Sequence, residues 1–274
     1  MSDALAAVAD WPVPTAAAAV IGRAGIVATT GPVDQPLPLA SVTKPLAALA
    51  VLVAVEEEAV SLDDPADEAL VPGATLRHLL AHASGLAPER PMRSFPPGQR
   101  RVYSNVGIEL AAQLVERATD LPFARYLDEA VVRPLQLTAT SLPGSPARDG
   151  VSTVADLARV AHELLSSTGL LSEPMRTELA SVQYPGLRGV LPGFGAQDPN
   201  DWGLGFEIRD GKSPHWTGAR NSPRTFGHFG QSGTFLWIDP DAELALVALT
   251  DRDFGDWARA AWPPLADAVL DAYA

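Results

Sequence analysis

An antiparallel sheet flanked by helices, with a mostly helical subdomain beside it, is the α/β (α+β) architecture that this 274-residue sequence predicts. Three observations carry the prediction. Short apolar runs punctuated by Gly and Pro stand near both ends of the chain, at 15–31 and again at 202–251. Between them the apolar positions recur at helical spacing. Hydrophobic residues make up 47% of the chain and charged ones 19%, a globular balance with length enough for a sizeable core. Strands at both ends imply one sheet built from residues 1–60 and 200–274, with residues 61–199 forming the helical subdomain of a single overall domain.

Taken in order, residues 2–10 form a short helical candidate. TAAAAVIG and AGIVATTG, separated at Gly22-Arg23 and ended by Gly31-Pro32, read as a hairpin. A long helix is predicted from Ser41 to Val60, with Pro45 tolerated because it falls in the first turn. DDPADEALVPG is a connection, and ATLRHLLAHASG a short helix with Gly85 as its C-cap. The Pro-rich stretch from Pro88 to Gly98 is a loop. SNVGIELAAQLVERATD and VADLARVAHELLSST are amphipathic helices, and Tyr184 to Asn200 is irregular. WGLGFEIRD, TFGHFGQSG, TFLWIDP and ELALVALTD are strand candidates, and Asp256 to Ala274 closes the chain as a helix.

Composition excludes several functions. Asp+Glu number 33 against Lys+Arg 20, a net charge of -13, which repels phosphate backbones and anionic lipid and argues against nucleic-acid or membrane partners. There is no Cys, so disulfides, thiolate nucleophiles and Cys-ligated metals are absent. The first residues carry Asp3 and Asp10 and no basic stretch, and the longest apolar run, PLAALAVLVAV, is too short for a bilayer span. A soluble, cytoplasmic protein is expected. Lysine occurs only at positions 44 and 212, all other basic positions being Arg.

Three places could do chemistry. Ser41-Val-Thr-Lys44 puts a hydroxyl and an amine on one helical face, where the amine can take the proton that keeps serine a weak nucleophile. The helix N-terminus there offers N–H groups to an oxyanion. The same four residues also fit a capping serine followed by an exposed lysine. Tyr103-Ser104-Asn105 sets a phenol and an amide at a helix start, for proton relay and carbonyl binding, or simply a cap beside a packing Tyr. Phe226-Gly-His228-Phe-Gly230-Gln231 repeats glycine inside a strand pattern, which is costly unless something approaches the backbone closely. His78 and His82, at i and i+4, have metal-ligating spacing but no third ligand. Trp202, Trp216 and Trp237 fit a core or cleft rim better than a cofactor site.

Together SVTK, YSN and HFG, in that order, resemble the serine β-lactamase and penicillin-binding-protein-like hydrolases: class C β-lactamases, DD-peptidases and the related esterases. LRHLLAHASGL is similar to a helix-and-turn segment of that family, as are WGLGF and FGHFGQSGTFLWIDPDAELALVALTD to its sheet. The resemblance runs from about Pro38 to Asp251. It implies the β-lactamase/transpeptidase-like fold, with a cleft between sheet and helical subdomain. It also implies Ser41 as acylated nucleophile, Lys44 as its base, Tyr103 as proton shuttle and Asn105 as a substrate-binding amide. His228 stands where the family's triad usually has lysine, followed by Gly230, and the N–H groups of Ser41 and Gln231 form the oxyanion hole. No metal or cofactor is implied.

Neutral imidazole at His228 weakens recognition of a penicillin carboxylate, and no export signal is apparent. An ester or amide hydrolase inside the cell, acting on a small molecule or D-amino-acid peptide, is therefore favoured. The alternatives are β-lactamase, D-alanyl-D-alanine carboxypeptidase or D-aminopeptidase activity, or a non-catalytic binding protein that keeps the fold. The acyl group, the leaving group and the oligomeric state lie beyond the sequence.

Overall fold

The computed structural model describes residues 4–166 and 169–274. Its main sheet has the order β2-β1-β10-β9-β8-β7, every neighbouring pair antiparallel. The hairpin β1 (Ala16–Gly22) and β2 (Gly25–Thr30) comes from the N-terminal part of the chain. Next come the short β3 (Leu37–Pro38) and three helices, α1 (Thr43–Glu56), α2 (Leu76–Leu80) and α3 (Asn105–Thr119). They are followed by α4 (Phe123–Leu127), β4 (Val151–Ser152), α5 (Val154–Ser166) and α6 (Glu173–Leu179). A small hairpin, β5 (Gly189–Leu191) with β6 (Gly195–Gln197), precedes the return to the sheet. The last elements are β7 (Glu207–Ile208), β8 (Phe226–Gly230), β9 (Thr234–Asp239), β10 (Leu244–Thr250) and α7 (Asp256–Tyr273).

The inner strands β1, β9 and β10 read as unbroken apolar runs because both faces of the sheet are covered there. Ala17, Ala19 and Ile21 of β1, with Ala245, Val247 and Leu249 of β10, join one core with α1 and α5. Their neighbours Ala18, Val20, Leu244, Leu246 and Ala248 join a second core with Trp262, Leu265 and Val269 of α7 and with Leu5 and Val8 near the N-terminus. Helix α1 is apolar on every side and is correspondingly buried from Thr43 to Leu52. Among the described residues no helix is long and apolar enough to cross a membrane.

Several boundaries differ from expectation, each for a local reason. Helix α1 stops at Glu56, short of Val60, because Glu58 turns left-handed (φ 59°) and Ala59 N–H bonds back to Ala54 O. It begins at Thr43, and Ser41 lies in a preceding 3-10 turn, Ala40–Val42. Helix α2 ends at Leu80 with Ala81 as its C-cap, four residues before Gly85, and it is His82 that turns left-handed (φ 53°). Gly85 is needed for another reason: a Cβ there would lie 1.9 Å from Phe95 O. Of WGLGFEIRD only Glu207–Ile208 pairs as a strand, since Leu204 and Gly205 donate their N–H groups to Leu179 O and Leu80 O instead. The helical candidate 2–10 is a 3-10 turn over Ala6–Asp10, its residues 2 and 3 lying outside those described. Residues 167 and 168 of VADLARVAHELLSST also lie outside them.

Candidate active site

Ser41 sits where a strand turns into a helix, and the turn is held under strain. Ala40 adopts φ 45°, a left-handed conformation that costs a residue with a Cβ. Three hydroxyls grip consecutive carbonyls beside it: Ser232 Oγ donates to Pro38 O (2.8 Å), Thr234 Oγ1 to Leu39 O (2.8 Å) and Thr43 Oγ1 to Ala40 O (2.7 Å). Two of the three come from the turn and strand that follow β8. That explains the glycine at 230. A Cβ there would meet Leu39 O at 2.4 Å and Ser41 N at 3.2 Å, so only glycine lets the end of β8 lie against the serine's backbone.

Lys44, one turn along, is fully buried, and its Nζ lies 3.0 Å from Ser41 Oγ and 2.7 Å from Ala147 O. No carboxylate pairs with it among the described residues. Burial therefore pulls its pKa from 10.5 down to about 7, against the opposing fields of Glu89 and Glu109 and with help from Arg148. Near neutral pH a large share of Lys44 is free amine, able to accept a proton. Tyr103 OH donates to the same Ser41 Oγ at 2.7 Å. Burial raises its pKa, so it stays a phenol, and Lys44 Nζ lies 4.7 Å from its ring centroid.

The segment carrying Tyr103 is pinned by two residues. Arg101 donates from Nε to Asn200 O (3.0 Å), from Nη1 to Ala81 O (2.6 Å) and from Nη2 to Gln183 O (2.7 Å). His82 brackets the tyrosine: its carbonyl accepts from Val102 N–H (2.9 Å) and its Nδ1 from Ser104 N–H (3.2 Å), while the two rings lie 4.7 Å apart. His82 is wholly buried and neutral. The pairing of His78 with His82 on one helical face is thus corrected, because His82 lies beyond the end of α2. His78 Nδ1 accepts from Thr75 N–H at 3.1 Å, capping that helix.

Asn105 opens α3, and its Nδ2 donates to Glu89 Oε1 at 2.5 Å. Its Oδ1 has no partner among the described residues. His228 on β8 donates from Nδ1 to Phe229 O at 2.7 Å, since a carbonyl can only accept, which leaves Nε2 as an acceptor. Burial first, then the field of Lys44, lowers its pKa to about 3. It is neutral and cannot present a positive charge to a substrate.

These residues share one cavity of about 230 Å³, lined by Ser41, Tyr103, Asn105, His228 and Gln231. Lys44 and Gly230 stand behind that lining. Sequence reasoning did not find Glu89, Leu191, Phe229 or Glu207, which also line it. Nor did it find Arg101 and the hydroxyls of Ser232 and Thr234, whose partners are far away in the chain. Trp202 forms part of the cavity wall, while Trp216 and Trp237 lie in the core beneath α7. Glu207 is clustered with the second lysine: Lys212 Nζ is 2.8 Å from Oε1, His215 Nε2 is 2.9 Å from it, and Trp216 Nε1 donates to Oε2. Burial alone would raise the Glu207 pKa, but His215 and Lys212 outweigh it and lower it to about 2.

Comparison with known proteins identifies the family and the fold. The Beta-lactamase family model matches residues 6–271. A crystal structure of a beta-lactamase from Mycobacterium bovis is 56% identical, with a TM-score of 0.96, covering 98% of this chain and 99% of that one. Unliganded simvastatin synthase from Aspergillus terreus, 19% identical, shares the fold at a TM-score of 0.79, with 100% and 99% of the two chains covered. A relative from Escherichia coli O157:H7, provisionally named a D-alanyl-D-alanine carboxypeptidase, is 28% identical over 58% of this chain. The match spans about half of that relative, 46% of its length. The chain belongs to the beta-lactamase family and has that family's serine-hydrolase fold.

Proposed function

We propose that this protein is a serine hydrolase working through an acyl-enzyme on an ester or amide substrate, an esterase or amidase of the family. The observation that carries the reading is the contact between Ser41 Oγ and Lys44 Nζ at 3.0 Å, in a protein that gives Lys44 no carboxylate and so keeps its amine basic near neutrality. Ser41 Oγ attacks the substrate carbonyl carbon as its proton passes to Lys44. The carbonyl oxygen becomes an oxyanion facing the backbone N–H groups of Ser41 and Gln231, a type of contact worth about 3–4 kcal/mol per donor. Collapse breaks the bond to the leaving oxygen or nitrogen, which takes the Tyr103 phenol proton, and the Lys44 ammonium returns a proton to Tyr103. Water then adds to the acyl-enzyme by the same groups in reverse, freeing the acid and restoring Ser41. Asn105 Oδ1, with no partner among the described residues, is available to a substrate N–H.

Hydrolysis of p-nitrophenyl butyrate by the wild type and by Ser41→Ala, with folding matched by circular dichroism, tests the reading. Activity lost in the variant is the expected result. A wild type inactive on esters, amides and β-lactams alike would leave the binding-protein alternative. A second reading, D-alanyl-D-alanine carboxypeptidase activity, is favoured by the name of the Escherichia coli relative and is checked by adding D-alanyl-D-alanine peptides to the same assay.

A further inference from the structure

The cavity beside Ser41 has an unusual charge inventory. Its lining contains two carboxylates, Glu89 and Glu207, and no lysine or arginine. The histidine that lines it is neutral and offers a lone pair rather than a proton. Of the cations just behind the wall, Lys212 is committed to Glu207 at 2.8 Å and to Asp201 O at 2.7 Å. Arg148 is committed to Glu89 Oε2 at 2.9 Å. Lys44 faces Ser41 and is partly uncharged.

The two carboxylates are not equivalent. Glu207 is buried, and its charge is met by Lys212, so it projects little field. Glu89 is exposed, its Oε1 turned to Asn105, and its pairing with Arg148 lies in solvent, where such pairs are weak and screened. Glu89 is therefore the group whose charge a substrate in the cleft feels. The net charge of -13 adds a repulsion of the same sign at longer range. The same lining includes an apolar set, Leu191, Pro192, Trp202 and Phe229.

Resting on the hydrolase reading above, we propose that this cleft selects acyl substrates without a carboxylate, seating an uncharged acyl chain on the Leu191–Trp202–Phe229 wall, and that Glu89 enforces the selection. A substrate carboxylate entering here would lose its water, meet no lysine or arginine in the lining and face Glu89, a repulsive element of the sort that produces discrimination. Penicillins and peptides ending in a free carboxylate belong to the disfavoured class.

The test uses two esters with five-carbon acyl chains, p-nitrophenyl valerate and mono-p-nitrophenyl glutarate, which differ only in the terminal carboxylate. At low salt the wild type is expected to show kcat/KM about tenfold or more higher for the valerate. Glu89→Gln, which keeps an oxygen to accept from Asn105, should narrow the gap several-fold, as should raising the ionic strength. Equal or faster turnover of the glutarate by the wild type overturns the proposal, and so does a gap that Glu89→Gln leaves unchanged. Binding of phenylboronic acid and 4-carboxyphenylboronic acid, followed by Trp fluorescence, reads the same selection without turnover. Failure to hydrolyse either ester would count against the esterase form of the hydrolase reading, and charge selection would then stand or fall on whether the neutral boronate binds more tightly.

Discussion

The two lysines of this chain are both buried, within a few residues of the same cleft, and they have opposite surroundings. Lys212 is enclosed with a counter-ion: Glu207 at 2.8 Å, with His215 and Trp216 completing the carboxylate's shell. Lys44 is enclosed without one, touching a hydroxyl and a backbone carbonyl. Burial with a partner fixes charge, and the Glu207 pKa falls to about 2. Burial without a partner loosens the proton, and the Lys44 pKa falls to about 7. In a sequence that otherwise uses arginine, a lysine whose proton is loosened by burial stands beside Ser41. The other stands where a compact ammonium fits between Glu207 and backbone carbonyls.

Lys44→Met should break the contrast most severely. It removes the base while preserving shape, and kcat/KM for a neutral ester is expected to fall about a thousandfold. Thermal stability should hold or rise, because an unpaired buried amine is lost. Next comes Lys212→Met, which strands the Glu207 carboxylate and should cost about 3–5 kcal/mol of stability in denaturant titration. A Lys212→Met protein as stable as wild type would show that the buried pair is not what holds this region. His82→Ala should lower kcat about tenfold to a hundredfold with a smaller change in KM, since Tyr103 loses the groups that orient it. His82→Asn, which tolerates the left-handed backbone and keeps an acceptor for Ser104 N–H, should recover much of the loss, and no recovery would mean that His82 serves packing alone.

The smallest effect is one of pH. Lys44 must be a free amine to accept the serine proton, so kcat/KM should rise with one proton's slope up to about pH 7 and level off above it. Stability has the same sign. The unfolded chain holds this proton up to about pH 10.5 and the folded chain releases it near 7, so the contribution of Lys44 to stability rises between those values. A rate profile flat from pH 5 to 9 would remove Lys44 as the base.

What the sequence makes legible is what lies close together in it. Ser41 and Lys44 stand three residues apart at the mouth of α1, and Tyr103 and Asn105 two residues apart at the mouth of α3, so their chemistry is written in four-residue and three-residue strings. The sheet is legible too, because burial on both faces leaves continuous apolar strands. Glu89 and Glu207 are not, since each reaches the cleft through a loop or an edge strand whose path depends on distant packing. His82 is hidden for a different reason. Its spacing from His78 suggests a shared helical face, but α2 ends first and the histidine turns inward to hold Tyr103. The hydroxyls of Ser232 and Thr234 bond across nearly the whole chain to Pro38 and Leu39, which no local pattern can signal.

The order of the strands also governs how the chain must come into being. Strand β1 is made well before its partner β10: Gly22 pairs with Leu244 and Ala16 with Thr250, across about 220–235 residues. At roughly 5–20 residues per second, a ribosome leaves the first hairpin waiting on the order of 10–40 s for its neighbour. Its outer strand meanwhile presents Ile26 and Val27, which remain exposed even in the finished protein. Synthesis is therefore an interval of exposure for this apolar hairpin, before β10 is available to cover it.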